Sequence, residues 1–80
     1  MARRPSPATL SPEWAIAGTW LRKLRKDRGI SQTKLATAIG LSKASVQDYE
    51  HGYRTPSPQT RIKICSALGC TPDDIWKETQ

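Results

Sequence analysis

Residues 29–57 read GISQTKLATAIGLSKASVQDYEHGYRTPS, and this stretch decides the fold. Leu35, Ala36 and Ile39 recur at helical spacing, and after a short break so do Val46 and Tyr49. Ser31 and Ser42 stand where N-caps belong. Gly40 and Gly52 stand where a left-handed residue ends a helix. The spacing predicts helices over 31–39 and 43–51, joined by Gly40-Leu41-Ser42 alone. A turn this tight, containing Gly, is the connection a helix-turn-helix uses. Ala36 is small enough for the two helices to cross closely. Leu35, Ile39, Leu41, Val46 and Tyr49 are placed to fill the angle between them.

The second helix has another side. Ala44, Gln47, Asp48 and His51 share it, with Lys43 at its edge. This mixture of short, donor and acceptor side chains suits a solvated face, and it equally suits a face that reads another molecule.

Outward from this pair, helix ends mark the rest of the chain. Ser11-Pro12, Ser57-Pro58 and Thr71-Pro72 each place a capping residue before proline at the first helical position. Thr71 is followed by Asp74, a capping-box-like spacing. Gly29 and Gly69 follow apolar-periodic runs. Five helices are predicted, near 12–28, 31–39, 43–51, 58–68 and 72–77. Gly18 lies within the first and is a candidate start of its regular part. The expected core comprises Ala17, Leu21, Leu24, Leu35, Ala36, Ile39, Val46, Tyr49, Ile62, Ile64, Cys65, Leu68, Ile75 and Trp76. Short helices on short loops give a compact all-α domain, since each must bury its stripe on a neighbour. Residues 1–10, MARRPSPATL, read as a flexible, basic, Pro-rich arm, and 11–80 as a single domain.

Charge narrows the class of partner. Thirteen Lys and Arg oppose seven Asp and Glu, for a net charge of +6 in 80 residues. Arg22, Lys23, Arg25, Lys26 and Arg28 crowd one stretch, while Asp73, Asp74 and Glu78 lie near the C-terminus. Such a balance favours an anionic partner, nucleic acid before membrane surface. Cys65 and Cys70 have no Cys or His companions at metal-ligand spacing, so two inert thiols are expected and no metal or other cofactor. No nucleophile is paired with a base, and an enzyme is not expected. The absence of a long apolar run or a signal-peptide pattern points to the cytoplasm.

With these residues in view, the chain resembles the Cro and phage-repressor type of helix-turn-helix, also called the XRE or lambda-repressor-like family. The resemblance rests on Gly29, Ser31-Gln32, Leu35-Ala36, Gly40, Ser42, Val46, Glu50, Gly52, Arg54 and Pro56, and reaches back to Leu21, Leu24 and Arg25. Forward, IKICSALGCTPDDIW over 62–76 is similar to the family's last two helices. Arg61 departs from the pattern, standing where a large apolar residue is usual, and Trp20 is bulkier than its usual counterpart.

The resemblance implies a compact five-helix domain whose second helix-turn-helix element, 43–51, enters the major groove. It places Lys43, Ala44 and Asp48 at base-reading positions, with Gln47 beside them. Lys43 can donate to guanine, Ala44 can touch a thymine methyl, Gln47 can pair with adenine, and Asp48 can accept from cytosine. It assigns Gln32 a phosphate contact at a helix start. Ser42, Ser45, His51, Tyr53 and Arg54 are further candidates for phosphate. It also implies an ion pair between Arg25 and Glu50, fixing the reading helix. Ile75 and Trp76 are expected at a homodimer seam, the alternative being that Trp76 closes the monomer core.

The function expected is that of a sequence-specific, double-stranded DNA-binding transcriptional regulator, a repressor or autoregulator, binding a palindromic operator as a homodimer. With no sensing domain after the helices, control is expected through abundance, oligomerisation or another protein. The alternative is a protein-interaction module of the same fold, a coactivator or antitoxin-type partner with little sequence preference.

Overall fold

A computed structural model describes residues 12–76. The expected arm at 1–10 and residues 77–80 lie outside the described residues. Five helices follow in order: α1 Pro12–Asp27, α2 Gln32–Ile39, α3 Lys43–His51, α4 Pro58–Leu68 and α5 Pro72–Ile75. No strand occurs among the described residues.

Local chemistry sets the helix ends. The hydroxyls of Ser31, Ser42 and Ser57 accept from the backbone N–H of Lys34, Ser45 and Thr60, satisfying donors that the first turn leaves open. The Thr71 backbone N–H donates to Asp74 Oδ2 at 2.9 Å. Gly40 closes α2 at φ 74°, and its N–H turns back to the carbonyls of Ala36 and Thr37. A side chain at that φ would be strained, so glycine is what lets the chain reverse so quickly into α3.

The helices pack around one cluster. α3 lies against α1 and α2, α2 against α4, and α5 touches both α1 and α4. Leu21, Leu35, Val46, Ile64 and Ile75 are fully enclosed. Each such side chain contributes roughly 1.5–3 kcal/mol relative to exposure. Leu24, Ile30, Ala67 and Cys70 pack around the cluster's edge.

Four expectations are corrected. Leu41, expected to fill the angle between α2 and α3, is 39% exposed. Ile62 is not core; it is 60% exposed. The buried stripe of α4 runs through Ile64, Cys65 and Leu68, and Ile62 falls off that stripe. Gly18 does not begin the helix but sits inside a continuous α1. It lies so close to α3 that a Cβ there would stand 2.3 Å from the Glu50 carbonyl oxygen. Ile75 and Trp76, expected at a dimer seam, are 1% and 5% exposed within the single chain. They close the monomer core, as the alternative had it, and have almost no surface left for a partner.

Arg61 is accommodated where an apolar residue is usual. Its Nε donates to the Pro56 carbonyl at 3.1 Å and its Nη2 to Thr55 Oγ1 at 3.0 Å. The guanidinium lies 5.3 Å from the Trp76 ring centroid, a cation–π contact that lids the core at that end.

Candidate nucleic-acid interface

Two buried charges support α3 from behind. Arg25 on α1 and Glu50 on α3 are each 7% exposed. Arg25 Nε donates to Glu50 Oε2 at 2.6 Å and Nη2 to Oε1 at 3.3 Å. The remaining side of the guanidinium is used too, as Nη1 donates to the Ile30 carbonyl at 2.7 Å. A charged pair this deeply placed tolerates burial only when its hydrogen-bonding capacity is filled, and here it is.

The network continues toward the surface. Gln32, the first residue of α2, donates its Nε2 to Glu50 Oε1 at 3.0 Å. Its Oε1 accepts from Gln47 Nε2 at 3.4 Å. Gln47 is half-buried on the shoulder of α3 that faces α2. The outward ridge of α3 holds Ala44, exposed, and Asp48 and His51 on either side of it, with Lys43 exposed at the helix start.

Beside that ridge lies an open pocket of about 360 Å³, lined by Arg22, Arg25, Ser31, Gln32, Thr33 and Lys43. It sits at the N-terminus of α2, where the helix dipole is positive. Of its cations, Arg25 is committed to Glu50, while Arg22 and Lys43 are exposed. From the sequence, Arg22 is indistinguishable from its neighbours in the basic run; only the packing of α1 turns it toward α2. Arg28 from the same run is committed elsewhere, its Nε donating to the Leu68 carbonyl at 2.9 Å and so capping α4.

The other candidates spread along the same side. Ser42 Oγ accepts the Ser45 N–H at 3.2 Å and lies 3.3 Å from Ser45 Oγ, so the two hydroxyls meet each other. At the far end of α3, Arg54 Nη1 approaches Asp48 Oδ2 at 3.7 Å. The Asp48 charge thus has Arg54 as its cation. The Arg54 guanidinium also lies 5.7 Å from the Tyr49 ring centroid. The rings of His51 and Tyr53 stand 5.7 Å apart at a 42° tilt. Thus Gln32, Lys43, Ala44, Gln47, Asp48, His51 and Arg54 border one continuous surface, whereas Ile75 and Trp76 do not contribute to it.

No group of three or more His, Cys, Asp or Glu side chains fit to hold a metal occurs among the described residues. Cys65 and Cys70 are free thiols. Burial pushes the Cys65 thiol up to about 12, and the neighbouring Cys70 and Asp74 add to the shift.

The chain matches the helix-turn-helix family model HTH_3 over residues 21–75. It is 32% identical over 62 residues to an SPbeta prophage-derived HTH-type transcriptional regulator, YonR, of Bacillus subtilis, covering 78% of this chain and 57% of that protein. It is 33% identical over 61 residues to the HTH-type transcriptional regulator YgzD of the same organism, covering 75% of this chain and 92% of that protein. Among solved structures, the restriction-modification controller protein C.AhdI of Aeromonas hydrophila superposes with a TM-score of 0.77 at 32% identity, over 81% of this chain and 98% of that one. The P22 c2 repressor, in complex with a synthetic operator, superposes with a TM-score of 0.74 at 27% identity, over 78% of this chain and 94% of that one. A helix-turn-helix closed by Gly40, an α3 held by Arg25 and Glu50, and a family match running from the middle of α1 through α5 lead to one conclusion: this chain belongs to the HTH_3 helix-turn-helix family, of the Cro and XRE type.

Proposed function

We propose that the protein is a sequence-specific, double-stranded DNA-binding transcriptional regulator that acts as a repressor or autoregulator. The observation that carries this reading is the pairing of an exposed α3 ridge with a basic pocket at the start of α2. Phosphate contacts set register and base-edge contacts set sequence, and the two features supply one each. The Gln32 side and the pocket take a phosphate, with Arg22 added to the residues foreseen. Lys43, Ala44 and Asp48 meet base edges in the major groove. Ser42, Ser45, His51, Tyr53 and Arg54 flank the backbone. Arg54 beside Asp48 offsets the repulsion an unpaired carboxylate would feel from phosphate. The relatives named as transcriptional regulators and the neighbour solved with an operator support the same reading.

The binding unit proposed is a homodimer on a palindromic operator, its half-sites about one DNA turn apart. We place the seam on surface other than Ile75 and Trp76, which are buried within the single chain. Selection of duplexes from a random pool by the purified protein, at near-physiological salt, tests the whole reading. An inverted repeat with that spacing is the expected product. Weak, steeply salt-dependent binding without an enriched motif overturns it in favour of a protein-interaction module.

A further inference from the structure

Gln47 shares the side of α3 that carries the ridge, and its amide is chemically fit to pair with adenine. Its placement points elsewhere. It is half-buried on the α2-facing shoulder, where Ala44 and Lys43 are exposed. Its Nε2 is turned inward to Gln32 Oε1.

That direction is imposed by the atoms behind it. Both oxygens of the Glu50 carboxylate accept hydrogen bonds, Oε2 from Arg25 Nε and Oε1 from Arg25 Nη2. Gln32 must therefore present Nε2 to Glu50 and turn Oε1 the opposite way. An amide oxygen can only accept, so the next residue in line must donate. Gln47 does so through Nε2. Four side chains from three helices thus form a polar relay, Arg25–Glu50–Gln32–Gln47, in which the Glu50 carboxylate fixes the amide polarity of Gln32 and Gln32 that of Gln47. The relay opens on the pocket that Gln32 helps to line.

We propose that Gln47 is a positioning residue: it holds the Gln32 amide in register for a backbone phosphate, and it reads no base. This rests on the DNA-binding reading above. The polar atom that matters at position 47 is a donor, and its loss is felt as a misaligned phosphate anchor shared by every sequence.

The test measures the affinity of wild type, Gln47→Met, Gln32→Met and the double variant for the selected operator and for its single-base-pair variants. Gln47→Met keeps the length and volume but has no donor. The expected result is an affinity lowered about 2- to 10-fold, the size of one modest hydrogen bond, by the same factor on every duplex. The preferred base at each position stays unchanged. The double variant binds no more weakly than Gln32→Met alone, because the second substitution removes a contact already lost. Thermal unfolding run alongside separates this from a folding defect: Gln47→Met is expected to melt close to wild type, whereas Gln32→Met also removes a hydrogen bond to the buried Glu50 carboxylate and is expected to melt lower. Loss of discrimination at one operator position in Gln47→Met overturns the proposal and makes Gln47 a base reader. Additive losses, or no loss in Gln47→Met, overturn it as well. Failure of the wild type to enrich any duplex is a different outcome, which removes the DNA-binding reading itself and this inference with it.

Discussion

Two arginine–carboxylate pairs use α3, and they differ in almost everything but chemistry. Arg25 and Glu50 meet at 2.6 Å with side chains 8% and 2% exposed. Arg54 and Asp48 meet at 3.7 Å with side chains 57% and 17% exposed. The first pair joins two helices and has its remaining hydrogen-bonding atoms filled by Ile30 and Gln32. The second spans the end of one helix, with Arg54 open to solvent and Asp48 partly covered. Desolvation makes the first pair intolerant of losing a member, while screening makes the second cheap to separate. One pair therefore holds the helix, and the other is loosely held and cheap to separate.

The comparison breaks most visibly at Glu50. Glu50→Ala leaves Arg25 buried and unpaired and is expected to cost roughly 3–5 kcal/mol. Asp48→Ala is expected to cost about 0–1 kcal/mol of stability. Urea unfolding of the two variants checks this, and similar midpoints would show that burial does not separate the pairs. Gln47→Ala should likewise melt well above Glu50→Ala.

A substitution on the opposite helix sharpens the buried side. Gly18→Ala drives a Cβ into the backbone carbonyls of Tyr49 and Glu50. Forcing α1 away from α3 is expected to cost about 1–3 kcal/mol, as overpacking does, and to stretch the Arg25–Glu50 contact. A melting temperature equal to wild type would mean that α1 can shift without penalty, and that the pair is not held by close approach of the helices.

On the exposed side the readout moves from stability to recognition. Asp48→Ala is expected to relax preference at one operator position, by about 1–3 kcal/mol of discrimination. Repeating the duplex selection with the variant measures it. An unchanged motif would assign Asp48 to its Arg54 pair alone.

The smallest effect expected lies away from α3, where burial is weighed without an ion pair. The Cys65 thiol ordinarily ionises near 9.0, and burial, with Cys70 and Asp74 beside it, raises this to about 12. The folded protein then holds a proton that the unfolded chain loses between those values. Its contribution to stability is whole below about pH 9 and falls as pH rises toward 12. Unfolding midpoints at pH 8 and pH 10.5 should differ less in Cys65→Ala than in wild type. An identical fall in both would show that the thiol is not sealed from water.

Much of this was legible in the residues. N-cap serines, Pro at helix starts and Gly at helix ends locate α2 to α5 to within two residues. Those signals are local, and local hydrogen bonds answer them. The errors came where tertiary geometry decides. Ile62 is apolar and helical, yet the stripe through Ile64, Cys65 and Leu68 leaves it outside, and Arg61 covers Trp76 instead. Gly18 looks like a helix breaker in one dimension and is a contact surface in three. The orientation of Gln47 depends on an atom of Gln32, which depends on an atom of Glu50; no spacing rule carries that information. The sequence leaves Trp76 open to two roles because an aromatic residue near a terminus serves a core and an interface equally well.

Of the nine residues in α3, Val46, Tyr49 and Glu50 are the buried ones. Folding therefore places its demands on one third of the helix. The outward ridge can drift by substitutions that change stability by no more than about 1 kcal/mol each. On the DNA-binding function proposed above, a lineage could retune which sequence it recognises without first acquiring a stabilising change elsewhere. On the same proposal, divergence of specificity among close relatives should outpace divergence of their cores, and exchanging ridge residues between them is expected to alter recognition.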